Sequence, residues 1–199
     1  MSTEFKADAC LEWMNNPDWW VFGASPVLAA RMASFHQRNR FHLRMAMSHF
    51  PELEDPAYWE AELARRQSAM LAGQAVHLVG VPRGIEGWEV DGDIGCLVSF
   101  WSIEHGDFDA CTLSILLDRR LEGRGLMYAM AAPAVREVLS RYKLHRIMAS
   151  HLPENLRSAR VLRRLGFAVE GYARDFIRIN GRWRDNVLLS LVETPGAST

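Results

Sequence analysis

The chain has 199 residues, with 49% hydrophobic and 24% charged types, the size of one domain and the composition of an ordinary globular fold. Wholesale disorder and fibrous repeats are excluded by that mix. The formal net charge of −1 hides a division: residues 1–118 carry 8 Lys/Arg against 17 Asp/Glu, and residues 119–186 carry 15 against 6, so one half suits a cationic ligand and the other an anionic one.

Taken in chain order, residues 1–17 read as an N-terminal extension, 18–192 as one domain and 193–199 as a tail. Asp18–Gly23 is a short aromatic run fit for an edge strand. Ser25-Pro26 is a cap and first-turn pair for a helix to about Arg40, with Leu28, Met32 and Phe35 on one stripe,. Pro56 opens a second helix with Trp59, Leu63 and Met70 on one face, closing near Gly73,. Three strands follow, Ala75–Val81, Gly92–Trp101 and Ala110–Leu117, between Gly- and Asp-rich loops,. Gly123-Arg124-Gly125 begins a helix whose stripe is Met127, Ala131, Val135, Val138 and Tyr142; Pro133 inside it predicts a kink or shifted boundaries,. His145–His151 reads as a buried strand, and Asn155–Leu165 as a helix with Leu156, Ala159, Leu162 and Leu165 inward, ended by Gly166,. Phe176–Ile179 and Trp183–Leu191 flank Asn180-Gly181, a two-residue hairpin turn,. The expectation is an α/β fold on a mixed sheet.

The longest nearly apolar run, Gly125–Val135, has 11 residues, where a membrane helix needs about 20. The charged N-terminus lacks an apolar signal core, so a cytoplasmic protein with no membrane partner is expected,. Cys10, Cys96 and Cys111 form no CxxC, and the histidines lack metal spacing, His36/His42 and His145/His151 being six apart. Neither a disulfide framework nor a metal is implied.

Arg120-Leu-Glu-Gly123-Arg-Gly125 leaves a strand and enters a helix, where backbone amides and the helix dipole favour a phosphate,. Neither a P-loop nor a dinucleotide fingerprint is present. With Ser114-Ile-Leu-Leu-Asp118 before it and His145-Arg-Ile-Met-Ala and Asn155-x-x-Ser158 after it, the segment resembles the GNAT acetyltransferases. Leu165-Gly-Phe, Glu170-Gly-Tyr-Ala-Arg-Asp175 and Gly181-x-Trp-Arg-Asp185 narrow the resemblance to the RimJ-type ribosomal-protein-alanine N-acetyltransferases, densely over residues 92–192.

That resemblance implies a mixed, mostly antiparallel sheet of about seven strands splayed at the fourth and fifth, flanked by about four helices. It implies acetyl-coenzyme A as cosubstrate, its pyrophosphate on the amides of Leu121, Glu122, Gly123, Arg124, Gly125 and Leu126, and its pantetheine beside Ile115, Leu116 and Leu117. Arg119, Arg120 and Arg124 can meet phosphates, while Arg160, Arg163 and Arg164 read more readily as surface,. Asn155 is either a helix cap or a pantetheine contact, or both; Ser158 is the candidate acid for the departing thiolate. Asp175, placed on the face of Ile177 by strand alternation, is a candidate base or a structural partner of Arg174 or Arg178, with Glu104 as the fallback. His151 is open between pocket lining and structural hydrogen bonding. The implied acceptor is the N-terminal alanine of a basic small-subunit ribosomal protein. A small-molecule amine and a non-catalytic cofactor-binding or ribosome-assembly role are the alternatives. Direct nucleic-acid binding is not favoured, and an oligomer is compatible with the sequence.

Overall fold

The computed structural model describes residues 12–84 and 93–193; expectations for residues 1–11 (Cys10 among them), 85–92 and 194–199 lie outside the described residues. The described chain forms eight strands: β1 (Glu12–Asn15), β2 (Trp19–Gly23), β3 (Val76–Pro82), β4 (Cys96–Glu104), β5 (Ala110–Leu117), β6 (Arg146–His151), β7 (Ala168–Ile179) and β8 (Arg182–Val192). Helices α1 (Ala29–Leu43) and α2 (Pro56–Leu71) precede β3; α3 (Leu126–Tyr142) connects β5 to β6, and α4 (Leu156–Arg164) connects β6 to β7. The strands lie in one sheet in the order β1-β2-β3-β4-β5-β6-β8-β7. Among the described residues no helix is long and apolar enough to cross a membrane.

The eighth strand is β1, whose four residues fall in the expected extension and pair antiparallel with β2. The Ser25 side chain makes no cap bond, and Pro26–Leu28 form a 3-10 turn before α1. Asp55 does cap α2, accepting from the Ala57 amide at 2.9 Å, with Pro56 at the first position.

One face of the sheet packs on α3 and α4 around Val98, Phe100, Met130, Val135 and Ile147; the other packs on α1 and α2 around Phe22, Phe35, Trp59, Leu63 and Val79. In β3, Gly80 makes room for this packing, because a Cβ there would sit 2.4 Å from Cys96 Sγ and 2.9 Å from the Trp19 ring. Leu156, expected inward, is 59% exposed. It opens α4, and only the later turns, through Val161, Leu162 and Leu165, reach the core.

Pro133 does not interrupt α3. It has no N–H for the Ala129 carbonyl four residues earlier. The buried Asn16 side chain supplies that donor instead, Nδ2 to Ala129 O at 2.9 Å, and Trp19 Nε1 donates to Leu126 O at 3.2 Å. The β1–β2 corner is thereby clipped onto the first turns of α3.

The feature that positions the site is a failure of pairing. β5 and β6 are parallel but matched only from Ala110–Thr112 to Arg146–Met148. Beyond Leu113 and Ala149 they diverge, while β6 stays paired with β8 as far as His151 and Val187.

Candidate active site

The gap between the diverging strands continues as a groove of about 550 Å³, walled by the end of α1, the far half of β5, the glycine loop and the first turns of α3 and α4. Of the residues expected to hold a cofactor, Ile115, Leu116, Leu117, Gly123, Gly125, Leu126, Asn155 and Ser158 line it together.

Gly123 and Gly125 both have φ +75°, a left-handed conformation in which a side chain is strained. The Leu121 and Glu122 amides are used within the turn, on the carbonyls of Asp118 (2.9 Å) and Arg119 (3.3 Å). The first α-helical bond of α3 runs from the Ala129 amide to Gly125 O. The amides of Leu126, Met127 and Tyr128 therefore have no helical acceptor and are the donors an anion in the groove can reach. Leu121 itself is core, 1% exposed.

The loop is pinned from behind by a buried polar cluster. Asp118 Oδ2 accepts from Arg38 Nε at 2.7 Å and Asn39 Nδ2 at 3.0 Å, and its Oδ1 accepts from the Arg120 amide at 2.9 Å. Asn39 Oδ1 in turn accepts from the Arg119 amide at 3.0 Å. Burial alone would raise the Asp118 pKa, but the hydrogen bonds from Arg120, Asn39 and Arg38 outweigh it and bring it down to about 2. Arg120, expected to face phosphates, directs its guanidinium at Asp118, with Nε 3.1 Å from Oδ1. Neither Arg120 nor Arg124 lines the groove.

The arginines that do line it are Arg157, Arg160 and Arg164 on α4. Arg160 and Arg164 were expected at the surface, and Arg157 carried no expectation. As the second, fifth and ninth residues of α4 they share a face,, the one signal that could have marked them. Arg164 also lies over the Tyr128 ring, 4.0 Å from its centroid.

Asn155 caps α4, its Oδ1 accepting from the Ser158 amide at 3.1 Å, and both side chains face the groove. His151 does not line it. That ring is buried, with Nδ1 2.8 Å from Leu152 O.

The two candidate carboxylates are elsewhere. Glu104 is exposed and pairs with Ala110, at the end of β5 away from the glycine loop, seven residues or roughly 24 Å along the strand. Asp175 is exposed on a bulge in β7: the register passes from Ala173↔Asn186 to Ile177↔Arg184, two residues out of step, and Asp175 has φ +48°. Strand alternation therefore cannot put Asp175 on the face of Ile177. The neighbouring Asp185 organises the bulge, accepting from the Asp175 amide at 2.9 Å and the Tyr172 hydroxyl at 2.7 Å, and these bonds hold its carboxyl below its ordinary pKa.

The tip of the β7–β8 hairpin docks on the α1–α2 connection. Asn180 Nδ2 donates to Arg44 O at 2.9 Å, and its Oδ1 accepts from the His49 amide at 3.0 Å. The α1–α2 connection, whose Met45 and Ala46 line the groove, is thus held by the hairpin tip.

Burial pushes the Cys111 thiol up to about 12 and raises that of Cys96 well above its usual range. Neither can supply a ready thiolate. Among the described residues no group of His, Cys, Asp or Glu could hold a metal ion.

Residues 3–168 match the family model described as an acetyltransferase (GNAT) domain. The chain belongs to the GNAT acetyltransferase family. It is 34% identical over 176 residues to the ribosomal protein uS5-alanine N-acetyltransferase of Escherichia coli (strain K12), covering 84% of this chain and 86% of that one. The structure of the ribosomal-protein-S5-alanine acetyltransferase from Vibrio fischeri superposes with a TM-score of 0.84 at 27% identity, over 92% of this chain and 97% of that one. Mycobacterium smegmatis RimJ in complex with CoA-disulfide has the same fold, with a TM-score of 0.77 at 20% identity over 86% and 80% of the two chains. As a GNAT enzyme the protein is an N-acetyltransferase that uses acetyl-coenzyme A. Its groove fits that cosubstrate, with an apolar wall on β5 for the pantetheine arm and first-turn amides and α4 arginines for the phosphates.

Proposed function

We propose that this enzyme acetylates the α-amine of an N-terminal alanine on a small-subunit ribosomal protein. The observation that carries the reading is the 34% identity, over most of both chains, to an enzyme named for that reaction. The cosubstrate supplies the acetyl group as a thioester whose carbonyl the acceptor amine attacks. A nitrogen–carbon bond forms, the carbon–sulfur bond breaks, and the electron pair leaves with sulfur.

Ser158 on the groove wall delivers a hydroxyl proton to the departing thiolate. Asn155 fixes the start of α4 and so the position of that hydroxyl. Neither thiol among the described residues, both buried and raised, can serve as the nucleophile, and the proposed transfer is direct, without an acyl-enzyme,. An α-amine titrates at about 7.7–8.0 and releases its proton readily. Water therefore suffices to carry that proton away. Asp175 on the hairpin bulge is the proposed receiving carboxylate, reached through water, with Glu104 as the more distant alternative.

The decisive experiment is N-terminal mass spectrometry of ribosomal proteins from cells with and without the gene. Loss of acetyl from one alanine N-terminus is expected; an unchanged set moves the acceptor to a small-molecule amine. With a matching peptide, Ser158→Ala should lower kcat by about 10²-fold while leaving cofactor affinity near wild type, and Asp175→Asn should flatten the rise of rate with pH. Wild-type profiles in both variants would remove these residues from the chemistry.

A further inference from the structure

Glu122 has the wrong charge for its position. It immediately precedes Gly123, lines the groove that takes the phosphates of coenzyme A, and is the sole acidic residue between Arg119 and Arg136. A carboxylate there repels the anion that the amides and arginines around it attract.

Its two oxygens are each held by a side chain from a different wall of the groove. His42 Nε2, at the end of α1, lies 3.2 Å from Oε1, and Arg157 Nη1, on α4, lies 3.2 Å from Oε2. Both partners line the groove. Glu122 is largely sheltered, its side chain 17% exposed, whereas that of Arg157 is 72% exposed. The arginine is therefore the arm free to swing. One carboxylate ties α1, the glycine loop and α4 together across the space the cofactor must enter.

We propose that Glu122 is an internal stand-in for phosphate: it holds Arg157 and His42 across the groove of the free enzyme, yields them to coenzyme A on binding, and so weakens cofactor affinity. The inference rests on the groove being the coenzyme A site. A guanidinium that pairs with carboxylate pairs equally well with phosphate. Binding thus replaces one anion by another and leaves Glu122 facing the newcomer. Acetyl-coenzyme A and its product carry the same phosphates, so the effect on both is equal. A handle shared by substrate and product contributes nothing to the chemical step, and loosening it speeds product release.

The test is calorimetric titration of coenzyme A, and of pantetheine, which lacks the phosphates, into the wild type, Glu122→Gln and Glu122→Ala. The alanine variant is included because glutamine can still hydrogen-bond Arg157. Both variants should bind coenzyme A about threefold to tenfold more tightly at low salt, with the gain shrinking towards 1 M salt and pantetheine affinity unchanged. Arg157→Gln should cost more affinity in the Glu122→Gln chain than in the wild type. Unchanged or weaker coenzyme A binding in both folded variants would overturn the proposal and make Glu122 a positioning residue for Arg157. Failure of the folded wild type to bind coenzyme A would instead overturn the groove assignment, and this inference with it.

Discussion

The bond from Asn16 to Ala129 offers a sharp test of how α3 survives its proline. Asn16→Ala removes the donor that reaches the Ala129 carbonyl at 2.9 Å and the oxygen that accepts from the Asp18 amide at 3.0 Å. Asn16 is 1% exposed, and leaving a buried partner unsatisfied costs about 1–3 kcal/mol. A loss of about 2 kcal/mol corresponds to roughly 4–8 °C in Tm for a domain of this size. Pro133→Ala restores an N–H at the helical position that serves Ala129 O, so in that background the cost of Asn16→Ala should fall by about 1 kcal/mol. Equilibrium urea unfolding of the four chains completes the cycle. Equal costs of Asn16→Ala in both backgrounds would refute the compensation and reduce Asn16 to a local turn residue.

Asp118 should show its pairing in the pH dependence of stability. Its folded pKa of about 2 lies below the ordinary aspartate value of 3.8, so it contributes stability above about 4, on the order of 2 kcal/mol, which is lost as pH falls towards 2. Asp118→Asn should be destabilised at neutral pH and the gap to wild type should narrow below pH 4; a constant gap in denaturant melts would contradict this. Gly123→Asn keeps a residue tolerant of the left-handed backbone while adding bulk in the groove,. It should fold normally and lose coenzyme A affinity by calorimetry, and unchanged affinity would remove the loop from the site. Glu52 and Glu60 near the acceptor side are exposed, whereas Glu54 pairs with Arg40 and His49, and Glu62 with Arg65 and Arg66. A peptide with Lys/Arg after its N-terminal alanine should therefore show a higher kcat/KM in thiol release than one with Asp/Glu, the advantage vanishing as salt shortens the Debye length from about 30 Å at 0.01 M to about 3 Å at 1 M. Equal rates at low salt would sink the steering argument.

What the chain disclosed in advance was what local chemistry determines. Asn180-Gly181 demanded a tight hairpin, Pro56 a helix start, and Gly123-Arg124-Gly125 the entry to a helix; all three stand where the spacing put them. Errors arose where a residue's role depends on register or on a distant partner. Alternation assumes constant pairing, so it could not reveal that β7 gains residues around Asp175 or that Asp185 holds the bulge. Arg120 reads as a phosphate contact because it stands in the basic segment at the glycine loop, yet its partner Asp118 is two positions away and is itself fixed by Arg38 and Asn39 from α1. The α4 arginines look like a solvated stripe until the splay of β5 from β6 gives that stripe a groove to face.

In the proposed reaction the same splay gives the charge division of the sequence a use. The sign of the chain changes between Asp118 and Arg119, at the exit from β5, so the strand that borders the gap also separates the acidic part of the chain, with α1 and α2, from the basic part, with α3 and α4. An anionic cosubstrate can then be drawn along α4, and a cationic acceptor from the side of the α1–α2 connection and the hairpin tip, with neither entering the other's field. Asp118 and Glu122 work against a simple excess of positive charge at the seam. The first takes up the Arg120 guanidinium and the second ties Arg157 and His42, so of the arginines on the groove wall Arg157 is the one already paired with the loop, beside Arg160 and Arg164.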